Sequence, residues 1–178
     1  MTVPSAPGAA GHPLAGAFDA LYLACIWTAG IAIAVMSMII PVGVFMRYVL
    51  GFGAQWPEPI AILLMVIFTF VGAAAAYRAG GHIAVALFTE MLPLPLRRVV
   101  ARLVELLMLL VCGFVVWYGT RLCLETMGQT IAELPWMPVG VTYLAIPLGS
   151  LATLLFVLEH MVWGLQSQRE VVRFGDAH

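Results

Sequence analysis

Four long apolar runs, at residues 18–46, 57–77, 96–123 and 139–163, constrain this chain more than any other feature. Each reaches the roughly 20 residues that an α-helix needs to cross the hydrocarbon core of a bilayer. In that solvent every backbone N–H and C=O needs an internal partner, which a helix supplies within one segment. The rest of the chain offers no competing soluble core: 63% of its residues are hydrophobic and 10% charged, against about a quarter charged in soluble domains. The expected fold is an all-α integral membrane protein with four transmembrane helices. A net charge of −1 leaves no basic surface for a nucleic acid.

Residues 1–17 carry no Lys or Arg ahead of the first run, so they lack the positive region of a cleaved signal and read as a disordered lead. The membrane domain is placed at residues 18–164 and a tail at 165–178. Cys25, Cys112 and Cys123 are far apart, match no metal or CxxC spacing, and read as small packing residues.

Local signals punctuate the runs. Asp19 is expected to cap the first helix, and Pro41 to kink or end it, with Arg47 and Tyr48 at its exit. "WPEP" opens the second: Trp56 suits the interface, prolines suit a first turn, and Glu58 meets the positive end of the helix dipole. The third run, at about 42 Å, is longer than the roughly 30 Å core and must tilt or project. Pro147 is expected to bend the fourth, which ends around Glu159, His160 and Trp163.

Basic residues set the orientation. Arg78, Arg97, Arg98 and Arg102 flank the middle connection, and Arg169 and Arg173 follow the last run, whereas the other two connections hold only Arg47 and Arg121. The positive-inside rule then puts the middle connection and both termini in the cytoplasm. Within that connection Gly80 and Gly81 can stop a helix, and Pro93 and Pro95 bar one from running through. Between them residues 83–92 place Ile83, Leu87, Phe88, Met91 and Leu92 on one face, which predicts a short interfacial amphipathic helix on the cytoplasmic side.

Chemistry is sparse. A complete transporter needs polar or ionisable groups near the bilayer midplane. Here the central portions of the first, second and fourth spans hold no charged side chain, and the exception is Glu105 in the third, on a stripe with Arg98 and Arg102 that suits an ion pair near the membrane surface. His82 and His160 raise the alternative of a haem- or quinone-associated anchor of a respiratory complex, although His82 follows a Gly-Gly break and His160 sits near a helix end, whereas axial ligands face inward within helices. A free-standing exporter is disfavoured by the lack of acidic residues in the central portions of the first two spans. No catalytic constellation can be assembled, so no enzyme, resident cofactor or metal is expected.

In order and spacing, "WPE" (Trp56, Glu58), "GAAAAYRAGGHI" (Gly72, Arg78, His82), "LPLPLRR", "YG" (Tyr118, Gly119) and "VTYLAIPLG" (Tyr143, Pro147, Gly149) resemble the small, four-span Q-type subunit of tripartite ATP-independent periplasmic (TRAP) transporters. The resemblance covers residues 43–155. It implies a bacterial inner-membrane scaffold beside a large M-type subunit that holds the substrate and sodium sites. It also implies a periplasmic binding protein that delivers small organic acids. On that reading Arg78, His82, Arg97, Arg98 and Arg102 are candidate contacts to lipid or the large subunit, and Arg47, Gln55, Trp56, Glu58, Arg121, Glu125 and Glu133 candidate contacts to the binding protein.

Overall fold

A computed structural model describes residues 14–51, 53, 55–80 and 94–163. In chain order these form α1 (Ala15–Tyr48), α2 (Pro57–Arg78), α3 (Leu94–Thr126), a hairpin of β1 (Thr130–Ile131) and β2 (Leu134–Pro138), α4 (Val139–Tyr143) and α5 (Ala145–Trp163). Four stretches are long and apolar enough to span a membrane: α1, α2, Val99–Thr126 within α3, and Val139–Trp163, which joins α4 to α5. The chain is thus an all-α membrane protein with a small hairpin between its third and fourth spans. The amphipathic segment expected at residues 83–92 lies outside the described residues, as do the tail and most of the N-terminal lead.

The prolines show what a bilayer permits. Pro41, expected to kink or end the first helix, does not end it: α1 runs through it to Tyr48. Pro41 leaves one carbonyl, that of Ser37, without its helical donor, whereas stopping there would expose several backbone groups to hydrocarbon. Pro147 acts differently. It has no N–H for the Tyr143 carbonyl, and the helix breaks there: α4 ends at Tyr143 and α5 starts at Ala145. Pro57 occupies the first turn of α2 and Glu58 lies beside it. At the other end of α2 Gly80 takes φ +80°, a left-handed conformation that only glycine adopts without strain.

Lateral order follows from packing. α1 lies against α2, α2 against α5, and α5 against α3. The last span is therefore central: 44% of its most apolar stretch is buried within the chain, against 6% for α3 and 11% each for α1 and α2. Small residues allow these approaches. A Cβ on Gly149 would lie 2.6 Å from the Phe70 Cβ, and one on Gly140 would collide with the Cys123 carbonyl. One core, of Tyr22, Cys25, Ala74, Ala75, Ala152 and Phe156, fills the space between α1, α2 and α5.

The hairpin was not anticipated. Ile131 pairs with Leu134 and Thr130 with Pro138, so Pro135, Trp136 and Met137 bulge from the ladder. Met137 turns inward and Trp136 outward. Prolines at 135 and 138 cannot donate to a ladder, which suits a bulge.

Candidate functional site

Ionisable residues of the described spans gather at the two ends. From residue 20 to 46, 59 to 77, 106 to 120 and 139 to 158 there is no Asp, Glu, Lys, Arg or His. The terminal end, where α1 begins and α2 and α5 finish, holds the denser cluster.

Arg78 is at its centre. Although it is the last residue of α2, it is only 4% exposed. Its Nε and Nη2 donate to the two carboxylate oxygens of Glu159 on α5, both at 2.8 Å. Nη2 also donates to Asp19 Oδ1 of α1 at 2.8 Å, and Nη1 to the Phe18 carbonyl at 3.0 Å. Four such bonds engage most of the five donors of a guanidinium. The Tyr22 and Phe156 rings flank the cation, each centroid 5.4 Å from its central carbon. The planar fork matches a carboxylate and the rings shield the pair from solvent, which is what a charge removed from water requires.

The neighbouring residues on the same two helices face the other way. Tyr77 and His160 meet with the phenol oxygen 3.4 Å from Nδ1, and the same nitrogen lies 3.8 Å from Glu105 Oε1 on α3. Glu105 in turn accepts from Arg102 at 3.1 Å. Thus Arg78 and Glu159 reach toward α1 while Tyr77 and His160 reach toward α3, and one polar belt joins all four spans at one level. The Arg102–Glu105 pair is the one the stripe predicted.

These placements correct two expectations. Asp19 does not cap α1, whose N-cap is Leu14 without a side-chain bond; its carboxylate goes to the buried guanidinium instead. Arg78, expected at the surface as a contact to lipid or the large subunit, is buried and directs four of its five donors to groups within the chain. Arg102, with its side chain 70% exposed, keeps an outward position. Arg97 and Arg98 lie in the first turns of α3, and His82 lies outside the described residues.

At the opposite end, Arg47, Gln55, Glu58 and Glu133 line one groove of about 590 Å³ between α2, the hairpin and α4. Trp56 precedes α2 and is 37% exposed. Arg121 lies over the Trp117 ring at 5.5 Å, and Glu125 is exposed near the end of α3; neither lines the groove. Among the described residues no group of three or more His, Cys, Asp or Glu could hold a metal.

Sequence reasoning missed Glu159, Tyr77 and His160 as partners. The available signal was charge balance: Asp19, Arg78 and Glu159 all fall at span ends assigned to one side of the membrane.

The profile of the DctQ component of tripartite ATP-independent periplasmic transporters matches residues 36–167. A TRAP transporter small permease protein of Haemophilus influenzae is 23% identical over 130 residues, covering 73% of this chain and 80% of that protein. The ectoine TRAP transporter small permease protein of Halomonas elongata is 28% identical over 109 residues, 60% of this chain and 56% of that protein. With four apolar spans, and with ionisable groups confined to their ends, the chain belongs to the DctQ family: it is the small permease component of a TRAP transporter, a multi-pass inner-membrane protein.

Proposed function

We propose that this subunit is the fixed scaffold of a sodium-coupled, binding-protein-dependent uptake system for small organic acids, bracing a large M-type subunit that carries the substrate and sodium sites. The observation that carries the reading is the absence of Asp, Glu, Lys, Arg and His from the middle of every span, where a substrate or coupling ion would be held. Rigidity fits the same role, since the Arg78 cluster ties α1, α2 and α5 together. The chain itself needs no cofactor in this scheme.

In this reading both termini and the polar belt are cytoplasmic, following the basic residues. Arg97, Arg98, Arg102 and His82 then sit at headgroup depth and contact lipid phosphates or acidic groups of the large subunit. On the outer face Trp56, Arg121 and Glu125 stand clear of the groove and are offered to the binding protein.

Purification from native membranes in mild detergent tests the proposal. A large many-span protein should accompany the chain, and the pair in liposomes should take up substrate only with the binding protein and an inward sodium gradient. Isolation of the chain alone, or with haem-containing subunits, would refute it. Arg97→Glu with Arg98→Glu should weaken assembly, and Arg121→Glu with Glu125→Arg should reduce uptake when the binding protein is limiting.

A further inference from the structure

Two grooves at the hairpin end converge on the same residues. One, of about 340 Å³, runs between α1 and α2 over Met36, Ile40 and Met65. The other, of about 590 Å³, runs between α2 and α4–α5 over Leu63, Val66 and Ile146. Arg47, Glu58 and Ile62 line both. Below this junction the first groove is apolar and the second adds Thr142 and Tyr143 to an otherwise apolar wall; at the junction stand one cation and, with Glu133, two carboxylates. Arg47 and Glu58 form no ion pair with each other or with any other described residue, although both line the same two grooves.

The dimensions suit one kind of occupant. From Arg47 back to Met36 the helical rise is about 16 Å, and from Glu58 to Val66 about 12 Å. Half of a roughly 30 Å hydrocarbon core is about 15 Å. Two apolar channels, each about one leaflet deep, diverging from a single charged junction at a helix exit, match two acyl chains and a head.

The charges select the head. We propose that this junction binds a phospholipid with a primary-ammonium headgroup, of the phosphatidylethanolamine type. Its phosphate is held by Arg47, its ammonium by Glu58 and Glu133, and its chains lie in the two grooves. An ammonium has three donors for carboxylate oxygens, whereas a quaternary ammonium has none. An anionic glycerol headgroup would keep the Arg47 contact but offer the two carboxylates neutral hydroxyl donors in place of a cation, leaving their negative charge uncompensated. Bound in this way, the lipid supplies each unpaired charge with a partner and fills the groove beside the α1–α2 contact of Gly43 with Pro57.

Native mass spectrometry of the full chain, purified in mild detergent and titrated with phosphatidylethanolamine, phosphatidylglycerol and phosphatidylcholine of identical chains, tests this. Phosphatidylethanolamine should be retained about tenfold more tightly than either of the others, a difference of about one charge-assisted contact. Arg47→Gln should abolish retention of all three. Glu58→Gln with Glu133→Gln should remove the preference while leaving phosphate-dependent binding, a change of selectivity that a folding defect would not produce. Equal retention of the three lipids by the native chain, or an unchanged preference in the double variant, would overturn the assignment. The outcome does not depend on whether the chain braces a large subunit.

Discussion

Glu159 accepts two parallel hydrogen bonds from Arg78 across the α2–α5 contact, both at 2.8 Å, and each side chain is about 1% exposed. Asp19 closes the cluster from α1. A buried pair of this kind is most sensitive to the loss of one partner, because the other is left charged and unsolvated. Arg78→Met should therefore cost about 3–5 kcal/mol, read as a lowered unfolding midpoint in detergent. Arg78→Lys should also destabilise, since a single ammonium cannot reproduce the fork. The double variant Arg78→Met/Glu159→Met should be more stable than the sum of the two single losses predicts. A native midpoint for Arg78→Met would show that the cluster contributes nothing.

Arg102 provides the contrast. Its pair with Glu105 has similar length, 3.1 Å, but its side chain is 70% exposed. Exposed pairs contribute about 0–1 kcal/mol, so Arg102→Ala should leave the same midpoint nearly unchanged. A loss comparable to that of Arg78→Met would mean that the belt acts as a single unit rather than as a strong and a weak half.

Gly149 and Gly30 differ in surroundings rather than in chemistry. A methyl on Gly149 meets the Phe70 Cβ and backbone at 2.6–2.9 Å, whereas Gly30 has nothing within 4 Å. Gly149→Ala should push α2 from α5 and cost about 1–3 kcal/mol. Gly30→Ala should be neutral or stabilising by up to about 1 kcal/mol through helix propensity alone. Unfolding curves for the two variants would decide whether the α2–α5 crossing is as close as described.

Orientation can be read by thiol labelling. The native cysteines, Cys25, Cys112 and Cys123, are all buried, so a cysteine introduced at an exposed site should dominate the signal. In intact cells Glu133→Cys should react with a membrane-impermeant maleimide and Arg102→Cys should not; in inverted vesicles the pattern should reverse. The opposite pattern would place the termini outside.

What could be read from the sequence was whatever a helix or bilayer imposes locally. The four spans follow from uninterrupted apolar length, the start of α2 from Pro57 and Glu58, and its stop from Gly80. The interruption at Leu144, where α4 gives way to α5 within one span, follows from Pro147, at which a bend was expected. Of the two outcomes expected at Pro41, a kink or an end, the end does not occur, because the rule that ends helices at proline belongs to water, where freed backbone groups find new partners. The polar belt was hidden for a different reason. Pairing Arg78 with Glu159 requires the lateral order of the helices, and that order is set by small-residue contacts such as Gly149 on Phe70, which have no local signature. The hairpin was missed because its five-residue strand contains two prolines, which argue against pairing until the bulge is seen.

The central place of α5 also bears on how the protein is made. A ribosome delivers the first three spans before the one against which α2 and α3 pack. Until then α3 lacks its main neighbour, and the guanidinium at the end of α2 has Asp19 but not Glu159. The last of these four spans to leave the insertion machinery is the keystone, so a chain cut short before residue 145 should be a substrate for membrane proteases rather than a smaller working subunit.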